Sequence, residues 1–300
     1  MNRQDGITEA EKLLMGSEYE PFIGSLKEIT FRNYVNKNVF KMGNSYLGKF
    51  ILKIRKNDEE NVINSINILE KIIDTENLIN KNTGIIKKDK FILLISKQLE
   101  GIQPIESERD KLHIFFSKLA AFNKNNIIDG PFSSMYLDGN YFNSIEELVD
   151  REINSHVKYF YEDMDSKKIL STLEILKQGI PCIINEDMNC GNLFITSDGK
   201  YKIIDTEWIL KSVNLFQFQH VDYFGFDERN WYTITDRARE CYEAYFDTLG
   251  IGDKKANEQI RAVELLNLLR ENTFNGYYGK ERDKEINMKI EKILRNEKFI

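Results

Sequence analysis

The 300-residue sequence is long enough to form one large domain or two smaller ones with a sizeable core. Its 41% hydrophobic and 12% aromatic residues are typical of a globular protein and exclude a disordered one. The formal net charge of -6 argues against a general nucleic-acid surface, because phosphate binding requires a basic face, whereas it suits a cationic small molecule.

The cysteines and the start of the sequence bear on the cellular compartment. The three cysteines are odd in number and lack the spacing of a metal site, which favours buried thiols over disulfide bonds. The opening residues, MNRQDGITEAEKLL, contain no apolar signal region, and no apolar run reaches the roughly 18 residues of a membrane span. We therefore expect a cytoplasmic protein without a membrane or nucleic-acid partner.

The first hundred residues predict a small antiparallel sheet with flanking helices. In chain order we expect a helix over 7–15, three strands over 28–56 divided by turns at 36–38 and 43–44, a helix over 58–75 and a strand over 91–96. Lys53 lies in the third strand, within the run FILKI. A lysine on a buried strand holds its ammonium group at a fixed position relative to the sheet, which a surface lysine cannot do.

The rest of the chain predicts mainly helices. Apolar residues at helical spacing predict helices over 108–123, 144–163, 166–178, 236–250, 256–271 and 281–296. The exception is the segment 181–208, which reads PCIINEDMNCGNLFITSDGKYKIIDTEW.

This central segment predicts a strand, a polar loop and a tight hairpin. The loop contains Asp187 and, five residues later, Asn192; the pair Asp198-Gly199 is a strong signal for the hairpin turn, and Asp205 follows its second strand. The open end of such a hairpin brings Asp187 and Asn192 close to Asp205. Oxygen-bearing side chains of this kind suit Mg²⁺, which proteins hold with one or two carboxylates and substrate phosphates.

The order Asp187, Asn192 and Asp205 resembles the catalytic loop and metal-binding aspartate of the kinase fold. It is most similar to the aminoglycoside phosphotransferase and choline kinase superfamily, whose loop reads H-G-D-x-x-x-x-N and whose later strand ends I-D-x-E or I-D-x-D. In this chain Asn185 replaces the His and Glu186 replaces the Gly of that loop. A further helix ends LAAFN where the family has L-A-x-x-H, so that Asn123 again replaces a His.

The resemblance implies an α+β, two-lobed protein-kinase-like fold. Residues 1–97 would form a nucleotide-binding lobe with a small antiparallel sheet, and residues 98–300 a larger, mainly helical lobe that binds the substrate. The cleft between the two lobes would hold ATP or GTP together with Mg²⁺.

The resemblance also assigns roles to particular residues. Asp187 would be the catalytic base, and Lys53 would neutralise the nucleotide phosphates. The other assignments are Asn192, Asp205 and Glu207 as metal ligands, Asn36 and Asn38 in the turn over the phosphates, and Gln98 and Leu99 in the adenine-binding hinge.

The glutamate that holds the lysine in this superfamily stays open between two residues here. Glu59 and Glu70 are eleven positions apart and therefore share nearly the same face of the helix over 58–75. The alignment closest to the sequence motif of the superfamily would instead place Ser65 at the position of this glutamate.

The implied reaction is transfer of the gamma-phosphoryl group to a hydroxyl of a small substrate, and an aminoglycoside, an amino alcohol, a sugar and homoserine are all candidates. The alternative is a catalytically silent kinase-like binding protein of the spore-coat type, which the replacements at Asn185 and Asn123 motivate. The sequence leaves the choice between ATP and GTP, the acceptor and the oligomeric state open.

Overall fold

In a computed structural model of the protein, the structure describes residues 3–31, 34–44, 48–56, 59–102, 111–137, 140–157, 165–188, 191–218, 236–275 and 288–295. It is an α+β structure with two lobes, as the sequence predicts. Within the described residues, no helix combines the length and apolar composition needed to cross a membrane.

The smaller lobe is built on a five-stranded antiparallel sheet in the order β1-β2-β3-β5-β4. Its elements are α1 (Arg3–Leu14), β1 (Lys27–Phe31), β2 (Tyr34–Asn44), β3 (Gly48–Lys56), α2 (Glu60–Leu69), β4 (Asn82–Lys88) and β5 (Phe91–Lys97). Leu93 and Ile95 of β5 pack towards α1, whereas Ile92 and Leu94 pack towards α2. Because successive side chains point to opposite faces of a strand, a strand covered on both faces reads as a continuous apolar run.

Strand β2 differs from the sequence prediction. The predicted turn at Asn36–Asn38 is absent from the described backbone: β2 continues through these residues, and β1 and β2 already pair at Phe31 and Tyr34. The pairing shifts between Ile29 opposite Asn36 and Glu28 opposite Phe40, so the extra residues form a bulge in β2. The side chains of Asn36 and Asn38 lie outside the described residues, and their predicted contact with phosphates stays a prediction.

The larger lobe is mainly helical. Its elements are β6 (Gly101–Ile102), α3 (Leu112–Asn125), α4 (Ile145–Val157), α5 (Ser166–Leu173), β7 (Pro181–Asn185), β8 (Leu193–Thr196), β9 (Tyr201–Ile203), β10 (Ile209–Val213), α6 (Asp236–Leu249) and α7 (Asp253–Asn275), and residues 288–294 are also helical. Phe116 of α3 stacks on Phe218, which meets Tyr245 of α6 edge to face at 4.7 Å. The aromatic stripe on α3 is therefore part of the core.

The predicted hairpin, β8–β9, pairs with backbone on both of its edges. Strand β6 pairs with β8, and Ile79, between α2 and β4, bridges to Ile203 of β9. Gly101 has φ +153, and a Cβ there would lie 1.9 Å from the carbonyl oxygen of Ile195. Only glycine allows so close an approach, and β6 therefore lies directly against β8 of the hairpin.

Candidate active site

A cavity of about 470 Å³ opens between the sheet of the small lobe and the β8–β9 hairpin. Six of the residues predicted for the site line it, and they come from both lobes: Lys53, Gln98, Leu99, Asn192, Asp205 and Glu207. The backbone N–H of Gln98 donates to the carbonyl of Lys49, so the hinge is tied to β3.

The loop after β7 is fixed by hydrogen bonds to its own backbone. Asn185, which is buried, accepts a hydrogen bond from the N–H of Asp187 at 3.0 Å and donates to the backbone oxygen of Asp205 at 3.4 Å. Asn185 therefore connects the loop to Asp205.

Asn192 links the other two predicted oxygen-bearing residues. Its side-chain Nδ2 donates to the backbone oxygen of Asp187 at 2.9 Å and to the carboxylate Oδ2 at 2.8 Å. Its backbone oxygen accepts from the N–H of Ile204, the residue before Asp205. Asp205 itself has φ 61, a left-handed conformation in which the chain turns sharply after β9.

Lys53 reaches across the cavity to the end of the hairpin. Its Nζ donates to Asp205 Oδ1 at 2.7 Å, although 152 positions separate the two residues. It also lies 3.2 Å from Glu207 Oε1, and Glu207 Oε2 accepts from Arg55 Nε at 2.6 Å. We call Lys53, Arg55, Asp205 and Glu207 the cleft cluster.

The two glutamates predicted as rivals for Lys53 lie elsewhere. Glu59 Oε1 accepts from the backbone N–H of Lys56, and Glu70 is exposed beyond the end of α2. Among the described side chains, Lys53 makes its ion pairs with Asp205 and Glu207. The helix instead presents Ser65, whose buried hydroxyl donates to the backbone oxygen of Glu207 at 2.6 Å.

Arg55 is the member of the cleft cluster that the sequence analysis did not predict. It stands two positions after Lys53 on β3, and residues two apart on a strand share a face. That alternation was the signal that could have identified it.

The donor set fits a hard divalent cation at Asn192 and Asp205, which supply an amide and a carboxylate oxygen to the same cavity. Glu207 fits less well, because each of its carboxylate oxygens already lies beside a cationic side chain. In the described part of the chain, no three His, Cys, Asp or Glu side chains cluster as a metal site. A cation here would therefore depend on the asparagine and on substrate phosphates.

A second charged group lies next to the loop that follows β7. Glu186 Oε1 accepts a hydrogen bond from Ser134 Oγ at 2.9 Å and lies 3.4 Å from Nη2 of Arg270. The Nε of Arg270 donates to Glu152 Oε1 at 2.7 Å. All four side chains are buried. We call Ser134, Glu152, Glu186 and Arg270 the buried cluster.

Burial controls the electrostatics of this group. It raises the pKa of Glu186 from 4.5 to about 7, against the opposing effect of the Arg270 guanidinium. Tyr136, whose ring lies 4.2 Å from that guanidinium, likewise has its pKa raised by burial. The residue that replaces the family's glycine therefore anchors the loop to α7 from inside the protein.

Asn123 makes a separate tie to β7. Its Nδ2 donates to the backbone oxygen of Ile183, and its Oδ1 accepts from Gln217 and from the hydroxyl of Tyr245. This buried asparagine holds the strand that leads into the catalytic loop.

No protein-family model matches the sequence, and no curated protein sequence matches it. Solved structures, in contrast, match over nearly the whole chain. A thermostable mutant of the aminoglycoside phosphotransferase APH(4)-Ia, in ternary complex with AMP-PNP and hygromycin B, is similar with a TM-score of 0.59 at 14% identity, over 96% of this chain and 98% of that chain.

Two further structures have different acceptors. An amicoumacin kinase in complex with AMP-PNP, Ca²⁺ and Ami gives a TM-score of 0.58 at 9% identity, over 100% of this chain and 95% of that one. An ethanolamine kinase from Plasmodium vivax gives a TM-score of 0.55 at 11% identity, over 98% of this chain and 87% of that one. These similarities confirm the predicted two-lobed kinase-like fold.

Proposed function

We propose that this chain, which has the fold shared by aminoglycoside phosphotransferases and ethanolamine kinases, is a small-molecule kinase. It would transfer the gamma-phosphoryl group of ATP or GTP to a hydroxyl of a small, hydroxylated acceptor in the cytoplasm. The observation that supports this most strongly is the convergence of Lys53, Asn192 and Asp205 on one cavity, with Asp187 hydrogen-bonded to Asn192.

The proposed division of labour follows from the chemistry of phosphoryl transfer, which mainly requires positioning and charge neutralisation. Asp187 accepts the hydrogen bond of the acceptor hydroxyl and takes its proton as the oxygen bonds to the gamma phosphorus. The bond from that phosphorus to the bridging oxygen breaks, and the nucleoside diphosphate leaves. Asn192 holds the Asp187 carboxylate in place through its Nδ2.

The remaining groups act on the nucleotide. Lys53 neutralises phosphate charge from β3, and the segment around Gln98 and Leu99 lies where the adenine or guanine base would bind. Asn192 and Asp205 would hold Mg²⁺, which supplies charge neutralisation at the phosphates.

The decisive experiment combines an acceptor panel with one substitution. Purified protein with Mg²⁺ and ATP or GTP is tested against aminoglycosides, amino alcohols, sugars and homoserine for release of the diphosphate. With a productive acceptor, Asp187→Ala should lower kcat by about 10²–10⁴-fold, the usual contribution of a general base, and leave nucleotide affinity nearly unchanged. Asp198→Ala, in the exposed turn of the same hairpin, is the matched control.

Two results would contradict the proposal. Equal turnover of Asp187→Ala and the wild type would remove Asp187 from the mechanism. If neither ATP nor GTP raises the melting temperature and no acceptor stimulates turnover, the silent kinase-like binding protein is the better description.

A further inference from the structure

The carboxylate of Glu207 lies between two cationic side chains of a single strand. Lys53 and Arg55 project from the same face of β3, and their Nζ and Nε atoms lie 3.2 and 2.6 Å from different oxygens of Glu207. The three side chains are 18, 19 and 10% exposed. At this degree of burial, charge-assisted contacts are stronger than on an open surface.

The backbone of Glu207 is also held in place, by a hydrogen bond from α2. Glu207 lies in a short 3-10 turn, Thr206–Trp208, that follows the left-handed Asp205. The hydroxyl of Ser65 on α2 donates to the backbone oxygen of Glu207 at 2.6 Å and lies 3.2 Å from that of Ile209. Helix α2 therefore fixes the position of this glutamate instead of supplying one.

We propose that Glu207 is the positioning residue that holds Lys53, and Arg55 with it, at the level of the nucleotide phosphates. This inference rests on the proposed kinase function and reassigns Glu207 from metal binding to the lysine. The long side chain of Lys53 has several rotatable bonds, so one carboxylate contact orients it poorly. Asp205 is also needed at the predicted cation site, whereas Glu207 contacts only the two basic side chains among the described ion pairs.

The proposal predicts a nucleotide-binding defect when the charge of Glu207 is removed. In Glu207→Gln the dissociation constant for ATP or GTP should rise about tenfold, because Lys53 loses its ion pair with Glu207 Oε1 and is held less well at the phosphates. The KM for the nucleotide should rise with it, the KM for the acceptor should stay the same, and kcat should change less. Calorimetric titration of the nucleotide, with and without Mg²⁺, measures the binding effect independently of turnover.

Two companion variants keep the test interpretable. Arg55→Gln removes the second cation and should weaken nucleotide binding in the same direction by a smaller factor. It leaves Glu207 and Lys53 intact if Glu207→Gln fails to fold. Glu60→Gln, on the exposed side of α2, is the matched control and should bind nucleotide as the wild type does.

The outcomes separate this inference from the proposed function. If wild-type protein binds nucleotide and both Glu207→Gln and Arg55→Gln bind it equally well, the positioning role is wrong and the kinase proposal stands. If Glu207→Gln changes only the Mg²⁺ concentration needed for half-maximal activity, Glu207 is a metal ligand. If the wild-type protein binds neither nucleotide, both proposals fail together.

Discussion

The cleft cluster and the buried cluster combine the same kinds of residues in opposite surroundings. In the cleft, Lys53 and Asp205 are 18 and 35% exposed and line an open cavity. In the buried cluster, Arg270 and Glu152 are 4 and 0% exposed and lie beneath the catalytic loop. The first group is open to the cavity, whereas the second is enclosed in the protein interior.

The same difference in burial distinguishes two adjacent residues of the loop after β7. Glu186 and Asp187 are adjacent in sequence, yet Glu186 points into the interior and Asp187 interacts with Asn192. Charged groups in a half-exposed cleft contribute little to folding, whereas a buried charge that loses its partner is strongly destabilising. Substitutions in the two clusters should therefore affect different measurements.

The largest expected effect on stability is that of Arg270→Met. This change leaves Glu152 and Glu186 buried without their guanidinium, and we expect the free energy of unfolding to fall by about 3–5 kcal/mol. Denaturant unfolding measures the loss. Arg295→Met, which breaks an exposed pair with Glu291, is the control and should cost about 0.5 kcal/mol or less. A loss of similar size in both variants would end the distinction between the clusters.

The next effect is a pH dependence carried by Glu186. Its pKa rises from 4.5 in the unfolded chain to about 7 in the folded protein, so the native state binds more protons between these values. The contribution to stability is fully present below the lower pKa and is lost as the pH rises through the higher one.

Glu186→Gln tests this sign directly. Measured by denaturant unfolding from pH 5 to pH 8, the variant should gain stability relative to the wild type as the pH rises. Glu264, whose pKa burial also raises to about 7, contributes in the same direction from a different site. The double variant with Glu264→Gln should therefore show a flatter pH profile than either single variant. A difference that does not change with pH would contradict the assignment to Glu186.

The smallest effect on stability belongs to the cleft. Lys53→Met should change the free energy of unfolding by only about 1 kcal/mol, because the lysine is partly solvated and Glu207 keeps its contact with Arg55. Its nucleotide affinity should nevertheless fall well below that of Lys49→Met, an exposed lysine on the same strand. If Lys53→Met lowers the free energy of unfolding strongly and leaves the nucleotide affinity unchanged, Lys53 has a structural role and does not bind nucleotide.

Local order in the sequence carried the prediction of the fold and of much of the site. The loop, hairpin and final aspartate are close in sequence, so Asp187, Asn192 and Asp205 could be placed near one another from a turn signal alone. Lys53 was assigned from the resemblance to the kinase fold, which places a lysine on this strand. The predicted turn at Asn36–Asn38 was wrong because β2 continues through these residues, and the extra residues are taken up by a shift in its pairing with β1.

By itself, then, the sequence determined the local elements and the order of the residues predicted to carry the chemistry, because those features depend on short-range patterns. The two-lobed architecture was predicted from the resemblance to the kinase fold. Only the tertiary structure decided which carboxylates face Lys53 and which side chains Glu186 contacts. Glu207 lies 152 positions from Arg55, and Arg270 lies 118 from Glu152. Contacts at that separation depend on how the lobes and helices pack, and residues of the same charge are interchangeable until packing selects one.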